Sequence, residues 1–178
     1  MVRPLTVLWI VTVAIGLLVV SPVYAATQAA NQRVMIEVPS SLVISSSQND
    51  FLLQFPDTYQ GSETNSITVN YSISANGMMQ ADGAPAILAQ LDGTFSGMDF
   101  KASVGRFAKI SGDTELSPSA GGFVTIRDFA LPLATKANST GSGRVLNGNL
   151  PITYKAVATS NLSSGIYARQ LTITLTDI

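Results

Sequence analysis

The C-terminal stretch Gly165-Ile-Tyr-Ala-Arg-Gln-Leu-Thr-Ile-Thr-Leu-Thr-Asp-Ile178 alternates apolar and polar residues with period two. Leu171, Ile173 and Leu175 fall on one face, and threonines separate them. Because successive side chains of a β-strand point to opposite faces, this pattern predicts a strand with one buried face. The stretch Thr64–Ser74 alternates in the same way and predicts a second strand of this kind.

Shorter apolar segments extend this strand pattern along the chain. We predict further strands at Leu42–Ser45, Phe51–Phe55, Phe100–Val104, Phe123–Arg127, Ala130–Leu133 and Leu150–Val157. Clusters of turn-forming residues predict loops at Gln80–Pro85, Ser111–Gly122 and Lys136–Gly148. The spacing at Ala84–Leu91 also allows one or two helical turns. Many short strands between turns favour an all-β, Ig-like antiparallel β-sandwich.

The composition limits the chemistry available to this chain of 178 residues. It has no cysteine and no histidine, which excludes disulfides, thiolate nucleophiles, Cys/His zinc sites and histidine-based triads. Its net charge of −1 does not suit a phosphate-neutralising surface. Asp82 and Asp92 each precede a glycine, as turn residues do. We therefore expect no enzymatic activity, no cofactor, no metal and no nucleic-acid partner.

The first 25 residues have the order of a secretory signal peptide. Arg3 is their only charged residue, a long apolar run follows it, and Val23 and Ala25 are small residues before a cleavage site. We predict that Met1–Ala25 is removed on export. The alternative is a membrane anchor, because the apolar run approaches the length of a membrane-spanning helix.

The terminal stretch resembles the last strand of subunits assembled by the chaperone–usher pathway of Gram-negative bacteria. Gly165 is fourteenth from the C-terminus, and Leu171, Ile173 and Leu175 are eighth, sixth and fourth. The form G-x-Y-x-x-x-L-T-I-T-L-T, which includes Tyr167, is especially similar to the capsular-antigen fibre subunits that also lack cysteine. Many relatives have a tyrosine next to the terminus, where this chain has an aspartate. The alternative is any Ig-like sandwich that closes with an alternating strand.

The resemblance implies an incomplete Ig-like sandwich. In that family the terminal strand borders an open hydrophobic groove, so Gly165, Tyr167, Leu171, Ile173 and Leu175 are the expected acceptor residues. A periplasmic chaperone fills the groove first, and the N-terminal extension of the next subunit then replaces it at an outer-membrane usher. The implied partners are identical or related subunits in a cell-surface fimbria, and a receptor on a host or another surface.

The other end of the chain is the expected donor. Ala26–Val38 has Ala30, Val34, Ile36 and Val38 on one face. Pro39 comes next, and the segment 39–178 then forms the sandwich domain. The alternative is that Arg33–Val38 is the ordinary first strand of a complete sandwich.

These patterns are compatible with two functions. The first is a structural subunit of an extracellular fimbria that polymerises by donor-strand exchange and supports adhesion. The second is a self-contained secreted β-sandwich that binds carbohydrate or protein. Trp9, the only tryptophan, lies in the signal segment, so stacking on a sugar would rest on tyrosine or phenylalanine.

Overall fold

The computed structural model describes residues 35–36 and 40–177, and every regular element in these residues is a β-strand. The chain divides into two units, Met1–Glu37 and Val38–Ile178, and all of the strands belong to the second. They are β1 (Ser41–Ser46), β2 (Ile67–Asn76), β3 (Pro85–Leu91), β4 (Met98–Val104), β5 (Ala108–Gly112), β6 (Glu115–Pro118), β7 (Val124–Thr125), β8 (Leu131–Ala137), β9 (Val145–Ala158) and β10 (Leu171–Leu175).

The strands form two antiparallel sheets. The first sheet has the order β1-β2-β9-β4-β7, and β5 also pairs with β9. The second sheet has the order β10-β3-β8-β6. β9 has 14 residues, so its first half pairs with β5 and its second half pairs with β4 along the same edge. The predicted all-β, antiparallel fold class is confirmed.

The two ends of the sandwich differ in which strands begin and finish there. We call the end at which β2 finishes and β9 begins the upper end, and the opposite end the lower end. β1 starts at the upper end, where Ser41 is opposite Asn76. β10 runs the other way, because Leu171 lines a lower-end cavity and Asp177 bonds the backbone just after β2. β1 and β10 therefore run in opposite directions.

The core lies between the two sheets and is built by period-two alternation. β2 buries every second residue, as does β9, and the intervening residues of β2 are exposed. Ile87 and Leu133 of the second sheet pack into the same cluster as Ile73 and Ile152 of the first. Burial of these aliphatic side chains is the main favourable term in folding.

Several local predictions are wrong. Ala84–Leu91 is not helical, because β3 occupies it and pairs with β8 and β10. The loops predicted at Ser111–Gly122 and Lys136–Gly148 contain β6 and the first residues of β9. Phe123–Arg127 shortens to the two residues of β7, and Phe51–Phe55 contains no strand.

The predictions for the N-terminal segment lie largely outside the described residues. These are the signal peptide at Met1–Ala25 and three of the four donor positions, Ala30, Val34 and Val38. Ile36 is described, and its side chain is exposed. In the described part of the chain, no helix has the length and apolar character needed to cross a membrane.

Candidate functional site

β1 and β10 each leave one edge unpaired. Among the described residues, β1 pairs only with β2, and β10 pairs only with β3. The edge at β7 has two residues, and the edge at β6 has four residues ending in Pro118. Short edges and edge prolines protect a sheet from pairing with another chain. β1, β10 and the five-residue β5, which pairs only with β9 among the described residues, have neither protection. Every residue of β5 is exposed, whereas β1 and β10 carry residues that face the core, so we take β1 and β10 as the candidate edges.

The core-facing residues of these two strands are only partly covered. Leu42 and Ile44 are opposite Ala75 and Ile73, two buried residues of β2, so they face the core. Leu42 is nevertheless 43% exposed, and Ile44 is half-buried. On β10 Leu171 and Ile173 are also half-buried, and Leu175 at the upper end is buried. Apolar residues thus lie along β1 and β10, and among the described residues no further strand pairs with the outer edges of these two strands. At some positions the Cα atoms of β1 and β10 lie within 8 Å of each other, so a strand inserted there has to move them apart.

Beside these strands lies a cavity at the lower end. The cavity has a volume of about 1170 Å³, and we call it the lower cavity. One wall is the segment 49–55 that follows β1, and the other is the segment 162–171 that leads into β10. Phe51, Phe95 and Phe100 contribute apolar side chains to its lining. We use the groove for the lower cavity together with Leu42, Ile44, Leu171 and Ile173.

Stacked aromatic rings form the floor of the lower cavity. The ring centroids of Phe51 and Tyr154 are 5.1 Å apart, and those of Phe100 and Tyr154 are 5.5 Å apart. Beneath them the hydroxyls of Tyr71 and Tyr154 share a hydrogen bond of 2.9 Å. Burial raises the pKa of both tyrosines, so both stay protonated and the bond is kept. The floor is therefore apolar and fixed in place.

Polar contacts hold the β10 wall at the lower end. The Arg169 guanidinium donates to the Thr94 carbonyl oxygen through two nitrogens, at 3.3 and 3.2 Å. The Asp92 amide donates to the Gln170 carbonyl oxygen at 3.0 Å, and the Gln170 amide donates to the Asp92 carboxylate at 3.1 Å. The turn after β3 thus anchors the residues just before β10.

A second set of contacts holds this wall at the upper end. The Asp177 carboxylate accepts hydrogen bonds from the Met79 and Gln80 amides, at 2.8 and 3.0 Å. The buried Lys136 ammonium donates to the Gln80 carbonyl oxygen at 2.7 Å. Through these bonds the Asp177 carboxylate clamps the end of β10 to the residues that follow β2. The β10 wall is therefore anchored at both ends.

The structure brings part of the predicted acceptor set together. Leu171, Ile173 and Leu175 form one row on β10, as the alternation predicts. Gly165 and Tyr167 lie before the strand, where both line the lower cavity. The Tyr167 hydroxyl donates to the Ser163 carbonyl oxygen at 2.9 Å, and a methyl group at Gly165 would meet open space.

Sequence reasoning misses most of the lower cavity. It places Phe51 and Leu53 only within a predicted strand, and it assigns no role to Phe95. The apolar alternation at Phe51–Phe55 is the available signal, since an alternating segment without a partner strand is a candidate wall of a groove.

The acidic side chains in turns act as braces. Hydrogen bonds from Ser139 lower the pKa of Asp82, and those from Ser142 and the Val145 amide lower the pKa of Asp113. The Asp82 carboxylate also accepts from the Ser139 amide at 3.0 Å. Among the described residues, acidic side chains do not form a group that could hold a metal ion.

No protein family, curated protein or solved structure matches this chain. The class that the described residues define is an all-β protein of two antiparallel sheets, with an apolar groove beside the edge strands β1 and β10.

Proposed function

We propose that this protein is a structural subunit of an extracellular fimbria that polymerises by donor-strand exchange and supports adhesion. The body is an incomplete Ig-like sandwich, and its groove accepts the segment Ala26–Val38 of another copy. Ala30, Val34, Ile36 and Val38 supply the inward face of the donated strand. The observation that carries this proposal is the partly exposed set of apolar residues along the edge strands β1 and β10.

The free energies involved support this proposal. Covering a large aliphatic side chain contributes roughly 1.5–3 kcal/mol. Leu42, Ile44, Leu171 and Ile173 each gain part of that amount when a strand lies over them. An added strand also gains main-chain hydrogen bonds along an edge, while its side chains select the partner by filling alternate positions. Three of these four side chains are already half-buried, so their combined apolar gain is on the order of a few kcal/mol, and the main-chain bonds add to it.

An open groove also explains the partners that we propose. A free edge beside exposed apolar residues invites aggregation, so the newly exported subunit needs a protein that covers it. We assign that role to a periplasmic chaperone and the assembly step to an outer-membrane usher. The final location of the subunit is the cell-surface fimbria, where a receptor on a host or another surface is a further partner.

Two forms of the protein test this proposal by thermal unfolding and by sedimentation. One begins at Pro39, and the other also carries a copy of Ala26–Val38 joined after Ile178 by a flexible linker. We expect the linked form to be monomeric and to unfold tens of degrees higher, because the strand is then supplied within the chain.

The matched control is the same linked form with Ile36→Asp in the added copy. A charge on the inward face cannot be buried without a large cost, so the gain in unfolding temperature should disappear. If the shortened form is already a stable monomer and the added segment changes nothing, the sandwich is complete and the proposal is wrong.

A second candidate function has one observation in its favour. Phe123 is exposed, and the Lys155 ammonium lies 4.7 Å from the centre of its ring. Lys155 is also held by Glu63 at 2.7 Å. An exposed ring beside charged groups suits a self-contained secreted β-sandwich that binds carbohydrate or protein. Binding of immobilised oligosaccharides that Phe123→Ala abolishes, in a protein that forms no polymer, would support this function instead.

A further inference from the structure

We propose that the upper end of each donating body packs directly against the lower end of the body that accepts its strand. This inference rests on the proposed function, since it describes a second contact between the same two copies. It differs from strand donation because it joins loop side chains at the ends of the two bodies, including those at the walls of the lower cavity, and needs no main-chain pairing.

The first argument is the length of the connection. Val38 ends the donated segment, and β1 begins at Ser41, so only Pro39 and Ser40 lie between them. Three residue steps span at most roughly 10 Å. Ser41 is at the upper end of its own body. The upper end of the donor must therefore lie within that distance of the place where Val38 leaves the acceptor.

The second argument concerns the end of the acceptor at which Val38 of the donated segment leaves the groove. The large side chains of the donated segment are in its C-terminal half, at Val34, Ile36 and Val38. The large space in the groove is the lower cavity, whereas Leu175 at the upper end is already buried. Matching large side chains to the large space puts Val38 at the lower end of the acceptor.

Repetition leads to the same direction. An exit at the lower end joins the upper end of one body to the lower end of the next, which is a head-to-tail contact that repeats without limit. If Val38 left the acceptor at the upper end, the upper end of every body would have to contact both the copy that accepts its strand and the copy that donates a strand to it. Only the first arrangement gives each end of the body a single neighbour.

The lower end carries exposed apolar side chains on the walls of the lower cavity and in the neighbouring Tyr59 loop. Ile166 is 94% exposed, and Leu52 and Tyr59 are also well exposed. Leu52 and Ile166 lie on the two walls of the lower cavity. The Thr58 carbonyl oxygen accepts a hydrogen bond from the Leu162 amide, which ties the Tyr59 loop to the same end. Exposed apolar side chains grouped at one end indicate a protein contact.

The upper end offers a complementary surface. Met79 is 68% exposed, and it lines a cavity of about 420 Å³ together with Ser40, Gly77, Arg144 and Val145. This cavity includes Ser40, the residue that joins the donated segment to the body.

Cysteine crosslinking tests this contact, because the chain has no cysteine of its own. The variant carries Met79→Cys and Ile166→Cys in the chain that begins at Ala26, and a second variant carries Arg144→Cys and Tyr59→Cys. Both are assembled, treated with a short bismaleimide reagent, and then denatured. We expect a ladder of covalent dimers, trimers and higher species from each variant.

The matched control carries Met79→Cys and Ile110→Cys. Ile110 is exposed like Ile166, but it lies on β5, beside the upper half of β9. We expect this control to polymerise and to give at least tenfold less of the ladder.

The failures can be told apart. Polymers that form without a ladder in either test variant, or with an equal ladder in the control, overturn the contact and leave strand donation standing. A protein that forms no polymer in any form overturns both.

Discussion

The central strands of the first sheet and the edge strands β1 and β10 have the same alternation of apolar and polar residues, but they bury their apolar residues to different extents. We call the first region the closed side and the second the open side. In the middle of the first sheet, β2 and β9 each have a neighbour on both sides, and Ile152 is 0% exposed. At β1 and β10 each strand has one neighbour, and Leu42 and Ile173 remain partly open. This difference shows that alternation specifies which face of the sheet a side chain lies on, whereas the neighbouring strands decide whether that face is covered.

The largest predicted effect compares one core residue from each side. We expect Ile152→Ala to lower the free energy of unfolding by about 2–5 kcal/mol, since it leaves a cavity in a closed core. Ile173→Ala should cost less than half as much in the chain that begins at Ala26 when it is kept monomeric. In the form that carries the linked strand after Ile178, the cost of Ile173→Ala should rise, because the supplied strand buries this side chain. Urea unfolding of both forms measures these differences.

Thr172→Ala is the control for this comparison, because Thr172 is on the same strand and faces away from the core. It should change stability by no more than about 0.5 kcal/mol in either form. Equal losses of stability for Ile152→Ala and Ile173→Ala in the monomer would mean that Ile173 is as well buried as Ile152. The protein would then have no open groove beside β10.

A smaller effect separates two glycines, one on each side. A methyl group at Gly148 would collide with the Phe107 ring and would lie 2.5 Å from the Ala108 carbonyl oxygen. Gly148→Ala should therefore destabilise the protein by about 1–3 kcal/mol. Gly165→Ala meets open space beside the lower cavity and should stay within about 0.5 kcal/mol of the parent. Thermal unfolding of both variants decides this, and equal losses would contradict the open character of the Gly165 loop.

The sequence predicts the strands that alternate cleanly and misses those whose form depends on partners. β2, β10 and the Leu150–Val157 part of β9 follow from period-two patterns alone, whereas the first residues of β9 lie in a predicted loop. β3 is open to a helical interpretation because Ala84–Leu91 contains good helix formers, and pairing with β8 and β10 overrides that preference. β6 lies in a segment rich in turn residues, where pairing with β8 likewise decides its conformation.

The sequence likewise predicts one part of the groove and misses the other. The row on β10 can be predicted from the terminal pattern, because it lies within one strand. The lower cavity cannot, since Phe51, Phe95 and Phe100 come from three segments that only the folded sheets bring together. The clamp by Asp177 is equally hidden, because its partners at Met79 and Gln80 are far away in the sequence.

The smallest predicted effect concerns the hydrogen bond between the Tyr71 and Tyr154 hydroxyls. These hydroxyls lie beneath Phe51, where the closed side meets the open side. Tyr71→Phe removes this hydrogen bond and should cost about 1 kcal/mol at pH 7. The pair also gives a dependence on pH. Burial raises the pKa of both groups above the ordinary tyrosine value of 10.0. Above pH 10 the unfolded chain releases protons that the folded chain keeps, so stability is complete below pH 10 and falls as the pH rises further.

Urea unfolding between pH 7 and pH 11 measures this dependence. Tyr71→Phe should make the fall in stability above pH 10 shallower, because one of the two buried hydroxyls is gone. Thr172→Ala, which changes no tyrosine and faces away from the core, should keep the parent profile. If Tyr71→Phe also keeps the parent profile, water reaches the hydroxyl pair through the groove. The solvent-accessible groove would then extend below Phe51, deeper into the core than the stacked rings indicate.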